Sequence, residues 1–181
     1  MNLVQPIRNA DDIRRLKERL LEVGEKYYLM FTVGINTGLR ISDILNLTVG
    51  DVRDKTHVTI FEKKTGKRKR FLINERLRQE IDGYISGAGD EAYLIKSQKG
   101  TNRPVNRCQA YKVLNDAAKS LKIPEVGTHT MRKTFGYWHY KQNKDVAILQ
   151  DIFNHSSPSI TLRYIGIDDD LKDSTLKDFF L

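Results

Sequence analysis

One change of hydrophobic period constrains this chain more than any other feature. Val58 and Ile60, then Phe71 and Ile73, alternate with other residues around the basic tip EKKTGKRKR. A period of two puts those apolar residues on one face of a strand, and Thr65-Gly66 between the runs is a turn signal, so the segment predicts a β-hairpin. The flanks follow a different period. Asn9 can cap a helix whose apolar Ile13, Leu16, Leu20 and Val23 recur at helical spacing, and Gly24 ends it. A more apolar helix follows over about 25–36. Thr37-Gly38 interrupts it before a helical pattern resumes at 39–47. Downstream, helices are predicted over about 75–86, 105–121, 130–142, 145–153, 157–165 and 171–179, with Tyr93-Leu94-Ile95 as a third short strand. The order predicts a mainly α fold with a small antiparallel β-sheet. The length of 181 residues suits a single domain, 1–181.

Charge narrows the function. The chain carries 31 Lys+Arg against 23 Asp+Glu, a net +8. Residues 168–178 hold five acids and two lysines, so the body before them carries 29 bases against 18 acids. A basic body calls for an anionic partner, most commonly nucleic acid. Two segments concentrate the charge. From Glu62 to Arg78 there are eight bases and two acids, and from Lys96 to Lys112 five bases and no acid. The single cysteine, Cys108, excludes an intramolecular disulfide and a Cys-cluster zinc site, and fits a reducing cytosol. The N-terminus lacks the apolar core of a signal peptide, and no run approaches membrane-spanning length.

Several chemistries lack an anchor. No GxxxxGK[ST] phosphate loop, no HExxH and no GxSxG is present, so no metal or other cofactor is expected. What remains is dispersed. Arg40 opens a helix after the Thr37-Gly38 turn, and is either solvated or held for a purpose. In THTMRKTFGYWHY, His129 and Arg132 are three apart and project from one helical face. Such a pair can clamp a phosphate, the arginine through a bidentate fork and the histidine through a hydrogen bond. In NHSSPSITLRY, His155 precedes a break and Tyr164 closes the helix after it.

Together TGLRISDIL, HTMRKTFGYWHY and NHSSPSITLRY resemble the signature boxes of the tyrosine recombinases, the phage-integrase and Xer-type enzymes. The likeness runs from about Glu25 to Ile165. It implies that Arg40 and Arg132 clamp the scissile phosphate, that His129 assists proton transfer, and that His155 donates a further hydrogen bond. Tyr164 is implied as the nucleophile that forms a 3′-phosphotyrosine, with neither metal nor ATP. The family's hairpin lysine, which protonates the leaving 5′-oxygen, matches Lys64 in KTGK, with Lys63 and Lys67 as adjacent competitors. Expected contacts to duplex DNA are Lys63, Lys67, Arg68, Arg103, Arg107 and Lys133.

The resemblance further implies a homo-tetramer on DNA, a monomer when free, and a prokaryotic or phage-encoded protein at the nucleoid in the cytoplasm. Asp43 would orient an arginine or cap a helix. Asn154 replaces the family's usual glycine, with an αL asparagine expected there. Lys133 stands where a histidine is often found. The family's N-terminal core-binding domain has no expected counterpart in this chain, and the tail at 168–181 either folds back or docks on a neighbouring protomer. Two alternatives stay open: a type IB topoisomerase-like enzyme and a non-catalytic DNA-binding module.

Overall fold

The computed structural model describes residues 4–61, 66 and 68–180. Lys63, Lys64 and Lys67 therefore lie outside the described residues. Among those described, the order is α1 (Ala10–Val23), α2 (Glu25–Thr37), α3 (Ile41–Asn46), a 3₁₀ turn at Val49–Asp51, β1 (His57–Phe61), β2 (Arg68–Leu72) and α4 (Glu75–Ile85). Then come α5 (Arg107–Ser120), α6 (Thr128–Asn143), α7 (Val146–Phe153), α8 (Pro158–Tyr164) and α9 (Ile167–Leu176). This is a mainly α fold with a two-stranded antiparallel sheet. No described helix is long and apolar enough to cross a membrane.

Local chemistry sets most boundaries. Asn9, Asn74, Asn106, Asp145 and Ser157 each accept a backbone N–H at a helix start. Each such cap contributes about 1 kcal/mol. The hairpin pairs Val58 with Phe71, both buried, and Ile60 with Lys69. Lys69 points inward from there, and its Nζ donates to the carbonyl of Asp151 at 2.7 Å, tying the sheet to the end of α7.

Tyr93-Leu94-Ile95 does not form a third strand. Leu94 and Ile95 are buried, and each makes one backbone bond: Leu94 N–H to Leu47 O (2.8 Å), and Ile95 O from Val105 N–H (2.8 Å). Two isolated bridges, Thr48 to Tyr93 and Lys96 to Pro104, are all the pairing there is among the described residues outside the hairpin. Pro104 has no N–H with which to extend a ladder. The last helix also begins earlier than its periodicity predicts, at Ile167 directly after Gly166.

The core has two parts. The larger surrounds α2, which packs against α1, α3, α4, α5 and α6. The smaller gathers Tyr137, Leu149, Phe153, Ile165 and Ile167 under α6, α7 and α8. Helix α6 joins them, with Met131 in the first and Tyr137 in the second. Two close approaches depend on glycine. A Cβ at Gly34 would lie 2.9 Å from Met131 Cβ, and one at Gly136 would lie 2.6 Å from Ile165 Cγ2. Residues 4–8 strap the outside of α6. Ile7 N–H donates to Thr134 Oγ1 (2.9 Å), Trp138 Nε1 donates to Ile7 O (2.9 Å), and Arg8 pairs with Asp170 at 2.8 Å.

Candidate active site

The site begins where α2 stops. Gly38 takes a left-handed conformation, φ 69°, at the helix C-cap. A side chain there would both strain the backbone and strike Phe135, since its Cβ would sit 2.4 Å from that ring. The turn frees the Gly38 carbonyl to face α6 and sets Arg40 as the N-cap of α3, in extended conformation and exposed. The Arg40 side chain makes no hydrogen bond or ion pair with the described residues, yet its charge bears on His129, Arg132, His155 and Tyr164. Those four positions therefore share one electrostatic site with it.

Helix α6 starts at Gly127, whose N–H donates to Thr130 Oγ1 (3.0 Å). His129 falls in the first turn, exposed, and Arg132 one turn later, 4% exposed. A buried guanidinium must have its donors satisfied. Two backbone carbonyls do this: Nη1 donates to Gly38 O and Nη2 to Phe153 O at 3.2 Å. The guanidinium also stacks on the Phe153 ring, 4.3 Å from its centroid, and its charge acts on the Tyr164 phenol. Burial lowers Arg132 to about 10, with Tyr164 and Asp43 opposing the fall and Arg40 adding to it. It stays a cation at neutral pH. Asp43, in the first turn of α3, bears on Arg132 through its charge alone, and its buried Oδ2 has no hydrogen-bond partner among the described residues.

Asn154 ends α7 in the left-handed region, φ 56° and ψ 48°, as its type permits. His155 thereby sits in the turn between α7 and α8, in the gap that the predicted helices left. Ser157 caps α8 with Pro158 at the first helical position, which lacks only an N–H the helix would leave unused. Tyr164 closes α8, partly buried. Its ring meets those of His155 and Phe153 edge to face, at 5.0 and 5.4 Å between centroids. Burial raises the Tyr164 phenol above its ordinary value, and the opposing pull of Arg132 and Arg40 is the smaller effect. The nucleophile candidate rests docked and protonated.

The two histidines shift the other way. Desolvation lowers His129, reinforced by Arg107, Arg132, Lys133 and Arg40. Desolvation lowers His155, reinforced by Arg132 and Arg40. Both are neutral imidazoles at pH 7. Among the described residues Asp43 is the acid that acts on Arg132, and the surplus of positive charge there fits an anion.

The fold thus brings Arg40, His129, Arg132, His155 and Tyr164 together. Arg68, Arg103 and Arg107 are exposed on β2, on the loop before α5 and at the start of α5, and the charge of Arg107 reaches His129. Lys133, expected among the DNA contacts, is turned inward. Its Nζ donates to Val4 O (2.7 Å) and lies 5.3 Å from the Tyr164 ring centroid. The neighbouring tyrosines are placed otherwise. Tyr137 is buried and pushed up to about 12 by burial and by Asp170, and Tyr140 packs by the smaller core with Lys144 over its ring. The carbonyls of Gly38 and Phe153 that hold Arg132 were invisible to residue-type reasoning. Only the Thr-Gly interruption hinted at the first.

Residues 9–170 match the family model described as the phage integrase family. Over 179 residues the chain is 49% identical to the probable integrase/recombinase YoeC of Bacillus subtilis (strain 168), covering 99% of this chain and 98% of YoeC. Its fold matches the crystal structure of XerA recombinase with a TM-score of 0.75 at 20% identity, over 97% of this chain and 65% of that one. It also matches a lambda integrase dimer bound to a COC′ core site with a TM-score of 0.70 at 16% identity, over 91% of this chain and 48% of that one. Against other tyrosine recombinases the chain spans between 41% and 64% of their length.

Proposed function

Since the chain belongs to the phage integrase family, the tyrosine recombinases, we propose that it breaks and rejoins duplex DNA through a 3′-phosphotyrosine on Tyr164. The observation that carries this is a buried Arg132, fixed on two backbone carbonyls, whose charge bears on the docked Tyr164 phenol. A scissile phosphate entering there meets Arg40 and Arg132 at its non-bridging oxygens. Attack by Tyr164 Oη forms the P–O(Tyr) bond and breaks the bond to the 5′-oxygen. Charge grows on the pentacoordinate phosphorus in between, and preorganised cations stabilise it without reorganising. Neutral His129 is suited to accept the phenol proton, and His155 to hydrogen-bond a phosphate oxygen. The leaving 5′-oxygen takes its proton from Lys64 of the hairpin tip. Reversal with a 5′-hydroxyl from another strand rejoins DNA, the phosphotyrosine having conserved the bond energy.

Arg68, Arg103 and Arg107 extend the positive surface outward from the site for backbone phosphates. Lambda integrase is described as a dimer on its core site. For this chain we propose assembly on DNA as a tetramer, from a monomer when free. The basic surface and complete catalytic set favour recombination chemistry over a non-catalytic module. Transfer to a second, different DNA partner would separate it from a topoisomerase.

The test is a pool of nicked duplexes with randomised cores, resolved on a denaturing gel. Wild type and Tyr140→Phe should form covalent adducts, and Tyr164→Phe none. An adduct on the Tyr164→Phe protein would overturn the assignment.

A further inference from the structure

Thr161 is completely buried in α8, three residues before Tyr164. Its Oγ1 lies 3.0 Å from Nδ1 of His155, and the same hydroxyl donates to the carbonyl of Ser157 at 3.3 Å. A hydroxyl has one hydrogen and two lone pairs. With that hydrogen given to Ser157 O, Oγ1 faces His155 as an acceptor, so Nδ1 must carry the proton. The lone pair of the neutral ring is then left on Nε2, the nitrogen that Thr161 does not occupy.

We infer that Thr161 is a positioning residue that fixes the tautomer and ring direction of His155. This rests on the proposed role of His155 at the phosphate, and it adds how that role is set. With Nδ1–H anchored, Nε2 is the only nitrogen free to take up a proton and hydrogen-bond the phosphate. The anchor and the nucleophile share one helix face, since residues three apart in α8 are neighbours. The His155 ring lies against the Tyr164 ring at 5.0 Å between centroids. The docked α8 therefore orients His155 and holds Tyr164 beside it through one element.

The anchor also supports the charged ring. An imidazolium must place its Nδ1–H, and the buried Oγ1 accepts it. Without that acceptor the fall in the His155 pKa, already caused by desolvation and by Arg132 and Arg40, deepens.

The experiment compares wild type with Thr161→Val, which is nearly isosteric but has no hydroxyl, and Thr161→Ser, which restores it. Nitrogen-15 NMR of the imidazoles in the free proteins reads the tautomer without any DNA. Wild type and Thr161→Ser should hold His155 as the Nδ1–H form. Thr161→Val should shift it toward Nε2–H and lower its titration midpoint. On a nicked duplex, Thr161→Val should cut the adduct-forming rate about tenfold, the fold-change expected for one hydrogen bond. Its DNA affinity should stay within about twofold and Thr161→Ser should recover most of the rate. An Nε2–H tautomer in wild type overturns the inference. So does a Thr161→Val protein whose tautomer and midpoint match wild type, or a Thr161→Ser protein as slow as the valine variant. If Thr161→Val does not fold, Thr161→Ser and wild type still decide it through the tautomer. An adduct on Tyr164→Phe would sink the proposed reaction while leaving the tautomer result standing.

Discussion

The wall formed by α6, α7 and α8 and the rim formed by β2 and the start of α5 carry charge of the same sign and hold it in opposite ways. In the wall, Arg132 is 4% exposed, stacked on Phe153 and bonded to two carbonyls from distant parts of the chain. On the rim, Arg68, Arg103 and Arg107 are exposed and have no ion-pair partner among the described residues. A fixed cation can stabilise charge that appears only in a transition state. A solvated one lowers the cost of bringing DNA near and is screened by salt. The difference teaches that net charge alone says nothing about catalysis. What matters is whether the backbone has already been arranged around the cation.

The sharpest way to break the comparison is Arg132→Lys, which keeps the charge and removes the fork. An ammonium is a single nitrogen and lacks the planar fork that reaches Gly38 O and Phe153 O from two separate nitrogens. Adduct formation on a nicked duplex should fall about 10²- to 10³-fold, the usual loss for one oriented donor at developing charge. DNA affinity in a filter or anisotropy assay should change only a few-fold. An equal loss in both would mean that Arg132 belongs with the rim.

Packing provides the next test. A Cβ at Gly136 would lie 2.7 Å from two atoms of the Phe153 ring and 2.6 Å from Ile165, next to Tyr164. Gly136→Ala should cost about 1–3 kcal/mol of stability by chemical denaturation, through overpacking, and should lower the adduct yield as α8 is pushed away. Gly83→Ala in α4, whose Cβ would meet nothing within 4 Å, should be neutral or stabilise by up to about 1 kcal/mol. Similar losses at both glycines would deny the wall its special tightness.

The rim should reveal itself through salt. Arg103→Ala and Arg68→Ala should each reduce the slope of log affinity against log salt by about one and leave the adduct-forming rate at saturating DNA unchanged. Lys133→Met should leave the slope alone, since its ammonium is spent on Val4 O and the Tyr164 ring. A Lys133→Met slope like that of Arg103→Ala would return Lys133 to the DNA surface.

These two regions were also unequally legible in the sequence. Local rules carried the rim and the boundaries: the period-two runs marked the hairpin, Asn9 marked a helix start, and Asn154 marked a left-handed end. The order Arg40, His129, Arg132, His155, Tyr164 was legible because these side chains stand in motifs that resemble the tyrosine recombinases. The wall's rigidity was not. It depends on backbone carbonyls at Gly38 and Phe153, and every residue has a carbonyl, so no residue type announces which one will face an arginine 94 positions away. Lys133 failed for the same reason, because its partner is the main chain of Val4. Tyr93–Ile95 has strand composition, but Pro104 sits opposite Lys96 and stops the ladder.

The smallest expected effect concerns protons, and it separates the regions by sign. His129 and His155 are held below the ordinary histidine value, by desolvation first and by nearby arginines second. A base with a depressed folded pKa binds fewer protons when folded than when unfolded. Its share of stability is therefore whole above about pH 6.5 and is lost as pH falls through that value toward the folded pKa. Denaturation of the free protein should show this loss, and His155→Asn should lessen it. A phosphodiester in the site reverses the balance, because its negative charge offsets the arginines that depress both rings. Binding should then take up protons near pH 6.5, so affinity should rise modestly as pH falls through that range. Calorimetry in buffers of different ionisation enthalpy measures the uptake directly. Arg103→Ala should not alter the uptake, whereas replacing either histidine should reduce it. Uptake that survives loss of both histidines would mean the titrating groups lie outside the wall.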